Sequence, residues 1–168
     1  MSGVVRSARR PWLAFFGLAA VIVVADQLVK AWAVPRYPLG ETVTVFGDFV
    51  RISMVHNTGA LFGLFRDQVY LFAAGSVVVI ALIVWFHGRA VVTHGALATV
   101  ALGLLLGGAV GNLIDRLTLG YVLDFVDVGI GTWRWYTFNV ADASISASLG
   151  LLVLMAFLPA RRPAGAVT

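Results

Sequence analysis

Two kinds of residue are scarce in this 168-residue chain: charged residues make up only 12% of it, and cysteine is absent. The lack of cysteine excludes disulfides, thiolate metal sites and a cysteine nucleophile. Soluble domains carry roughly 25% charged residues and about 45–50% apolar ones, whereas hydrophobic residues reach 60% here. A soluble core of this size could not bury that excess, so we predict a membrane protein.

Signals for metal and nucleic-acid binding are also missing. The three histidines, His56, His87 and His94, show no metal-ligand spacing, and the His-Glu-x-x-His pattern is absent. The net charge of +4 comes from scattered basic residues without a nucleic-acid-binding motif. We therefore expect no metal, no cofactor and no nucleic-acid partner, and we attribute the positive charge to attraction for anionic membrane lipid.

Four apolar stretches each approach the roughly 20 residues that cross the hydrocarbon layer as a helix. They predict one membrane-embedded domain, residues 1–168, with spans at residues 12–34, 69–86, 90–114 and 138–160. In the third stretch glycine recurs every fourth residue, at Gly103, Gly107 and Gly111, with Gly108 beside them. Such a spacing puts small residues on one helix face and predicts close packing against a neighbouring helix.

Charge predicts the orientation of these spans. Segments that carry basic but no acidic residues are cytoplasmic by the positive-inside rule, and the arginines in such segments are Arg6, Arg9, Arg10, Arg89, Arg161 and Arg162. Both termini are then cytoplasmic. All acidic residues then lie outside or near the outer end of a span: Asp26, Glu41, Asp48, Asp67, Asp115, Asp124, Asp127 and Asp142.

The two outer connections, residues 35–67 and 115–137, differ in character. In the first, residues 42–46 and 49–55 are rich in β-branched and aromatic residues and flank the turn signal Gly47-Asp48, which predicts a hairpin on the membrane surface. The second is rich in Trp and Tyr, which favour the membrane boundary, and predicts a short loop or strand there. The predicted fold class is therefore an all-α membrane protein with four transmembrane helices, a small extracytoplasmic β-sheet or hairpin, and a short surface loop or helix.

Charged residues within apolar spans are costly, so each requires a partner or a function. Asp26 and Lys30 are four residues apart and share a helix face, which favours a structural ion pair over direct contact with substrate. Asp115 could pair with a basic residue, cap the end of its helix or act chemically. Arg116 is favourable near a helix C-terminus and could receive a phosphate or carbonyl group of a bound lipid.

Asp124 and Asp142 suggest a chemical role. Asp124 is flanked by apolar residues, and Asp142 lies at the start of the fourth span, where it or Asn139 could cap the helix. Two close carboxylates in a low dielectric cannot both ionise readily, so the pair would share one proton. Such a pair could activate water with one member and protonate a carbonyl oxygen with the other. Composition alone does not say which two of the eight acids form a pair.

Five sequence blocks, taken together, resemble the bacterial lipoprotein signal peptidase (signal peptidase II) family. They occur in that family's order and cover nearly the whole chain between the termini. They are Asp26-Gln27-Leu28-Val29-Lys30, Asn57-Thr58-Gly59-Ala60-Leu61-Phe62-Gly63, Gly107-Gly108-Ala109-Val110-Gly111-Asn112-Leu113-Ile114-Asp115-Arg116, Val122-Leu123-Asp124-Phe125 and Phe138-Asn139-Val140-Ala141-Asp142.

The resemblance implies an aspartic endopeptidase of the bacterial inner membrane, with its active site near the extracytoplasmic face. Its substrates would be diacylglyceryl-modified prolipoproteins, cut just before the lipidated cysteine. Separately from the resemblance, we expect membrane lipid as a partner and a monomeric protein. By motif, Asp124 and Asp142 would be the catalytic pair. The residues that would bind substrate or support the pair are Asn57, Gly59, Asn112, Asp115, Arg116 and Asn139.

Two other functions compete with this interpretation. A small transporter or channel subunit could use intramembrane acids as a proton relay, although such acids usually lie near the bilayer midplane and often accompany internal repeats. A purely structural scaffold could use Asp124 and Asp142 as helix caps, and would tolerate asparagine at both positions.

Overall fold

The computed structural model describes residues 2–58 and 68–158. Its four helices are all long and apolar enough to cross a membrane, and a small antiparallel sheet accompanies them, which confirms the predicted fold class. In chain order the elements are α1 Ser2–Ala33, β1 Thr42–Phe46, β2 Val50–Asn57, α2 Val69–His94, α3 Ala96–Thr118, β3 Val122–Ile130, β4 Trp133–Arg134 and α4 Val140–Phe157.

The boundary between α2 and α3 lies later than predicted. The sequence suggested a break around Arg89, between spans 69–86 and 90–114, but α2 continues to His94 and only Gly95 separates it from α3. Gly95 has φ +59°, a left-handed conformation that glycine adopts without steric cost. Arg89 lies within α2, and its guanidinium lies over the Trp85 ring, 3.8 Å from the ring centroid, where the cation is attracted by the aromatic face.

The other helix ends also differ from the apolar stretches. Helix α1 begins before residue 12, and α3 runs past residue 114 to Thr118. Helix α4 begins at Val140 rather than at residue 138, because Phe138 forms a β-bridge with Val126 and Asn139 is the N-cap. Hydropathy cannot detect either role. The predicted end of the fourth span, residues 159–160, lies outside the described residues.

The sheet has the strand order β1-β2-β3-β4. Strands β1 and β2 form the predicted hairpin, with Gly47 at φ +51° in its turn and the Phe49 amide donating to the Phe46 oxygen at 3.1 Å. The second outer connection holds more structure than the short loop or strand expected. It supplies β3, which pairs with β2 over most of its length, and the two-residue strand β4.

Helix α3 lies at the centre of the bundle and packs against α1, α2 and α4. The predicted close approach of helices at its glycines is confirmed. A Cβ on Gly107 would lie 2.6 Å from the Cβ of Ile22 in α1, and a Cβ on Gly108 would lie 2.5 Å from the Ala141 carbonyl oxygen in α4. Because neither distance leaves room for a methyl group, these glycines fix the depth at which α1 and α4 meet α3.

We predict that Gly108→Ala destabilises the protein by roughly 1–3 kcal/mol, the usual cost of overpacking, because the new methyl group would contact backbone and could be accommodated only by moving α4. Gly150→Ala is the matched control, since nothing lies within 4 Å of a Cβ at Gly150. Thermal unfolding in detergent measures both. Equal melting temperatures for the two variants would show that α4 does not depend on this contact.

Candidate active site

Polar residues from four elements meet at one end of the helix bundle. The C-terminal turns of α1 and α3 supply one part, the start of α4 another, and β3 brings Asp124. The bridge between Val126 and Phe138 positions the last two elements, because it places the residue before α4 beside the strand that carries Asp124. The chain thus brings Asp124 next to Asn139 through backbone pairing.

Asp124 is 2% exposed and both of its carboxylate oxygens accept hydrogen bonds from amide side chains. Asn57 Nδ2 donates to Oδ2 at 2.9 Å, and Asn139 Nδ2 donates to Oδ1 at 2.8 Å. Strand pairing explains the first contact, because Asn57 and Val55 lie on the same face of β2 and Val55 is the register partner of Asp124.

Asp142 is half-buried in the first turn of α4 and forms a capping box with Asn139. The Asp142 amide donates to Asn139 Oδ1 at 2.8 Å, and the Asn139 amide donates to Asp142 Oδ2 at 3.3 Å. The other oxygen, Oδ1, accepts a hydrogen bond of 2.7 Å from Asn112 Nδ2. Asn139 is therefore the N-cap, as the sequence suggested, while Asp142 holds a second role facing Asn112.

The side chain of Asn139 joins the two carboxylates. Its Nδ2 donates to Asp124 Oδ1 and also to Asn112 Oδ1, the latter at 3.1 Å, while Asn112 in turn donates to Asp142. Asn139 is fully buried and Asn112 is 7% exposed. The two acids are thus held by one buried amide network.

The environment of Asp124 raises the pKa of its carboxyl group to about 7, chiefly through burial and secondly through the negative charge of Asp142. Hydrogen bonds from Asn57 and Asn139 and the positive charge of Lys30 oppose this rise. Because the pKa is raised, the proton stays on Asp124 below about pH 7 and leaves above it. Near neutral pH Asp124 can therefore still carry a proton.

A cluster of buried charges lies beside this network. Lys30 Nζ is 2.7 Å from Asp26 Oδ2 and 2.7 Å from Asp115 Oδ2, and all three residues are at most 4% exposed. Gln27 Nε2 donates to Asp115 Oδ1 at 2.9 Å and to Asp26 Oδ2 at 3.2 Å. The expected Asp26–Lys30 contact is present, and Lys30 is also the basic partner of Asp115 that the sequence left unidentified.

Asp48, Asp127 and Arg116 lie apart from this cluster or at its edge, and Asp67 lies outside the described residues. Asp48 and Asp127 form ion pairs with Arg134 within the sheet. Arg116 is half-buried, and its Nη1 donates to the Asn112 backbone oxygen at 3.3 Å. Gly59 lies outside the described residues. Within residues 2–58 and 68–158, no group of three His, Cys, Asp or Glu side chains is placed to hold a metal ion.

Sequence reasoning missed the contacts that this charged cluster makes with backbone. Asp26 Oδ1 accepts a 3.0 Å hydrogen bond from the Ala141 amide, and Asp115 Oδ2 accepts one of 3.0 Å from the Leu123 amide. The hydrogen bonds of Gln27 to Asp26 and Asp115 were also not predicted. Spacing along one helix can indicate the Asp26–Lys30 pair. The Asp26–Ala141 contact joins residues 115 positions apart, and the Asp115–Leu123 contact joins α3 to β3, so helix spacing predicts neither.

A membrane bundle that holds two carboxyl groups in one amide network at one end is an arrangement compatible with a membrane-embedded hydrolase. Residues 18–158 match the family model described as signal peptidase (SPase) II. The chain belongs to the signal peptidase II family. It is accordingly a multi-pass membrane protease that removes signal peptides from prolipoproteins, which separates it from transporters and from purely structural scaffolds.

Relatives and solved structures agree with this family. The lipoprotein signal peptidase of Caulobacter vibrioides is 43% identical over 158 residues, covering 89% of each chain, and that of Geobacillus kaustophilus is 38% identical, covering 86% of this chain and 94% of its own. A bacterial membrane enzyme solved by the in meso method at 2.3 Å resolution has a TM-score of 0.78 and 27% identity, covering 84% of this chain and 86% of that one. A second, at 1.9 Å, has a TM-score of 0.77, with coverage of 85% and 92%.

We predict that Lys30→Met destabilises the protein by about 3–5 kcal/mol, because it leaves two buried carboxylates without their cation. Arg51→Met is the matched control: Arg51 contacts Asp48 in a largely exposed pair, and such pairs contribute about 0–1 kcal/mol. Melting temperatures in detergent measure the difference. A Lys30 variant as stable as the Arg51 variant would contradict the importance assigned to the buried cluster.

Proposed function

We propose that the protein is an aspartic endopeptidase in which Asp124 and Asp142 form the catalytic pair. Its substrates are prolipoproteins already modified with diacylglycerol, and it cleaves immediately before the lipidated cysteine. The observation that carries the proposal is the shared amide network: Asn139 hydrogen-bonds both carboxylates, and the pKa of Asp124 lies near 7 through burial and the charge of Asp142.

The two aspartates have different environments, and these suggest different roles. Asp124 is more buried and keeps its proton below about pH 7, so it serves as the acid that donates to the scissile carbonyl oxygen. Asp142 is half-buried beside it, and in its ionised form it takes a proton from the attacking water. A carboxyl group whose pKa is raised by burial is suited to the role of the acid.

The neighbouring amides position this pair. Asn57 and Asn139 orient Asp124, and Asn112 orients Asp142. Arg116, at the edge of the site, offers a cation to a substrate carbonyl or a lipid phosphate. Gly59 lies outside the described residues, and we assign it to contact with the substrate peptide on its place in the Asn57–Gly63 sequence block alone. Because both carboxylates and their amide partners come from one chain, a monomer suffices for the reaction.

We also propose an orientation in the bacterial inner membrane. Both termini are cytoplasmic and the carboxylate pair lies near the extracytoplasmic face, because acid-free basic segments favour the cytoplasm. The C-terminal ends of α1 and α3 and the start of α4 carry the site, so a single orientation places all of it on one side. The lipid of the substrate then remains in the outer leaflet while the peptide bond reaches the carboxylates.

Replacing either aspartate by asparagine tests the catalytic pair. We expect Asp124→Asn and Asp142→Asn each to lower the cleavage rate of a diacylglyceryl-modified precursor by at least about 100-fold, the usual contribution of an acid or base. The assay is cleavage by purified protein in detergent, with melting temperatures recorded for each variant.

Asp142→Asn also separates catalysis from helix capping. An amide at this third position of the helix can still accept the hydrogen bond of a capping box, so the fold should be retained while the charge is lost. Asp127→Asn is the matched control, because Asp127 bonds Arg134 in the sheet and does not contact the pair. Full cleavage by either the Asp124 or the Asp142 variant would refute the pair.

Single cysteines test the orientation cleanly, because the chain contains none. Thr132→Cys lies in the exposed turn between β3 and β4, and Ala96→Cys lies at the opposite end of the bundle, next to Gly95. We expect a membrane-impermeant maleimide to label Thr132→Cys in cells with a permeabilised outer membrane, and to label Ala96→Cys only after lysis. The reverse pattern would invert the proposed topology.

A further inference from the structure

The buried cluster of Asp26, Lys30 and Asp115 does more than compensate its own charges. Two of its oxygens accept hydrogen bonds from backbone amides of other elements: Ala141 in α4 and Leu123 in β3. Each of these amides belongs to the residue immediately before one of the two aspartates of the site. The cluster therefore holds both backbone segments by hydrogen bonds at the residue that precedes each aspartate.

Lys30 links the two carboxylates that accept these backbone hydrogen bonds. Its ammonium lies 2.7 Å from Asp26 Oδ2 and 2.7 Å from Asp115 Oδ2, so a single cation fixes the separation of the two carboxylates that hold Ala141 and Leu123. Gln27 bridges the same two carboxylates a second time. Asp26, Lys30 and Asp115 are buried and Gln27 is half-buried, which limits the access of water to these bonds and strengthens them electrostatically.

We propose that this lysine-bridged carboxylate pair is a positioning device for catalysis: through the Ala141 and Leu123 amides it sets the distance between Asp124 and Asp142. The inference rests on the proposed function, and it assigns to Asp26, Lys30 and Asp115 an effect on turnover beyond that of a structural ion pair. None of the three touches the substrate in this account; they act through backbone.

Close packing supports a rigid connection. A Cβ on Gly111 would lie 3.0 Å from Asp26 Oδ2 and 3.3 Å from the Ala141 Cβ, so α3 offers no space for Asp26 to relax away from α4. On the other side, Leu123 is 3% exposed and its carbonyl oxygen accepts from Asn139 Nδ2 at 3.3 Å. A shift of either backbone segment would therefore be passed to the aspartate that follows it.

Asp115 offers a matched pair of variants with identical net charge. In Asp115→Asn the new amide oxygen can still accept from Leu123 and Lys30, and only the hydrogen bond that Gln27 donates to Asp115 Oδ1 is lost. In Asp115→Leu the acceptor for the Leu123 amide is lost, while Lys30 keeps Asp26 as a counterion. The two variants differ chiefly in whether the Leu123 amide of β3 keeps its hydrogen-bond acceptor at residue 115.

We expect Asp115→Leu to lower kcat per folded molecule by about 100-fold, the effect of a misplacement of about 1 Å, with little change in KM. The alkaline limb of its pH–rate profile should also move, because the burial of Asp124 and its distance from Asp142 determine where that limb lies. Asp115→Asn should retain kcat within about tenfold and keep the wild-type limb. A residue that only stabilises the fold would change the melting temperature and leave both kinetic quantities unaltered.

A third variant keeps the test decisive if Asp115→Leu does not fold. Asp115→Glu retains the charge and the acceptors but moves them by one methylene, so we expect it to lose kcat as Asp115→Leu does. Wild-type kcat and pH profile in Asp115→Leu or Asp115→Glu, or equal losses in Asp115→Asn and Asp115→Leu, would overturn the inference. Asp124→Asn and Asp142→Asn, assayed alongside, report separately on the proposed function. Full cleavage by either of these two variants would contradict the catalytic pair, whatever the Asp115 variants show.

Discussion

The hydrogen bonds of Asn139 are the interaction on which the rest of the site depends. Its backbone amide and side-chain oxygen cap α4 together with Asp142, and its side-chain nitrogen reaches Asp124 on the sheet. One residue thus starts a transmembrane helix and holds a carboxylate from another element. Because Asn139 is fully buried, losing any of these bonds would leave polar groups unsatisfied at a substantial cost.

The bundle supplies the conditions under which such a network is useful. Glycines in α3 let α1 and α4 approach closely, which brings Asp26, Asp115 and Lys30 into contact and places the start of α4 against the end of α3. The resulting site is buried enough to raise the pKa of Asp124, and it is polar enough to hydrogen-bond both carboxyl groups. A site exposed to water would lose the first property, and an apolar one would lose the second.

Sequence patterns predicted a large part of this architecture. Apolar length identified four spans, glycine spacing indicated the face of α3, and the Gly47-Asp48 turn signal located the hairpin. Sequence patterns did not predict the helix ends that depend on particular backbone conformations or tertiary contacts. Helix α2 ends at the backbone of Gly95, and the start of α4 depends on the bridge between Phe138 and Val126. Local spacing found the Asp26–Lys30 contact but not the second bond of Lys30 to Asp115, because those residues meet only when α1 packs on α3.

The proposed role of Asp124 as the acid requires that it hold a proton near neutral pH, and infrared spectroscopy of the purified protein tests this directly. A protonated carboxyl group absorbs separately from a carboxylate, so the absorption assigned to Asp124 by its loss in Asp124→Asn can be followed as the pH is raised. Since burial raises the pKa of Asp124 to about 7, we expect this absorption to persist below that pH and to disappear above it. If the Asp124 carboxyl group instead loses its proton near the ordinary pKa of an aspartate, about 4, Asp124 cannot be the protonated acid of the pair.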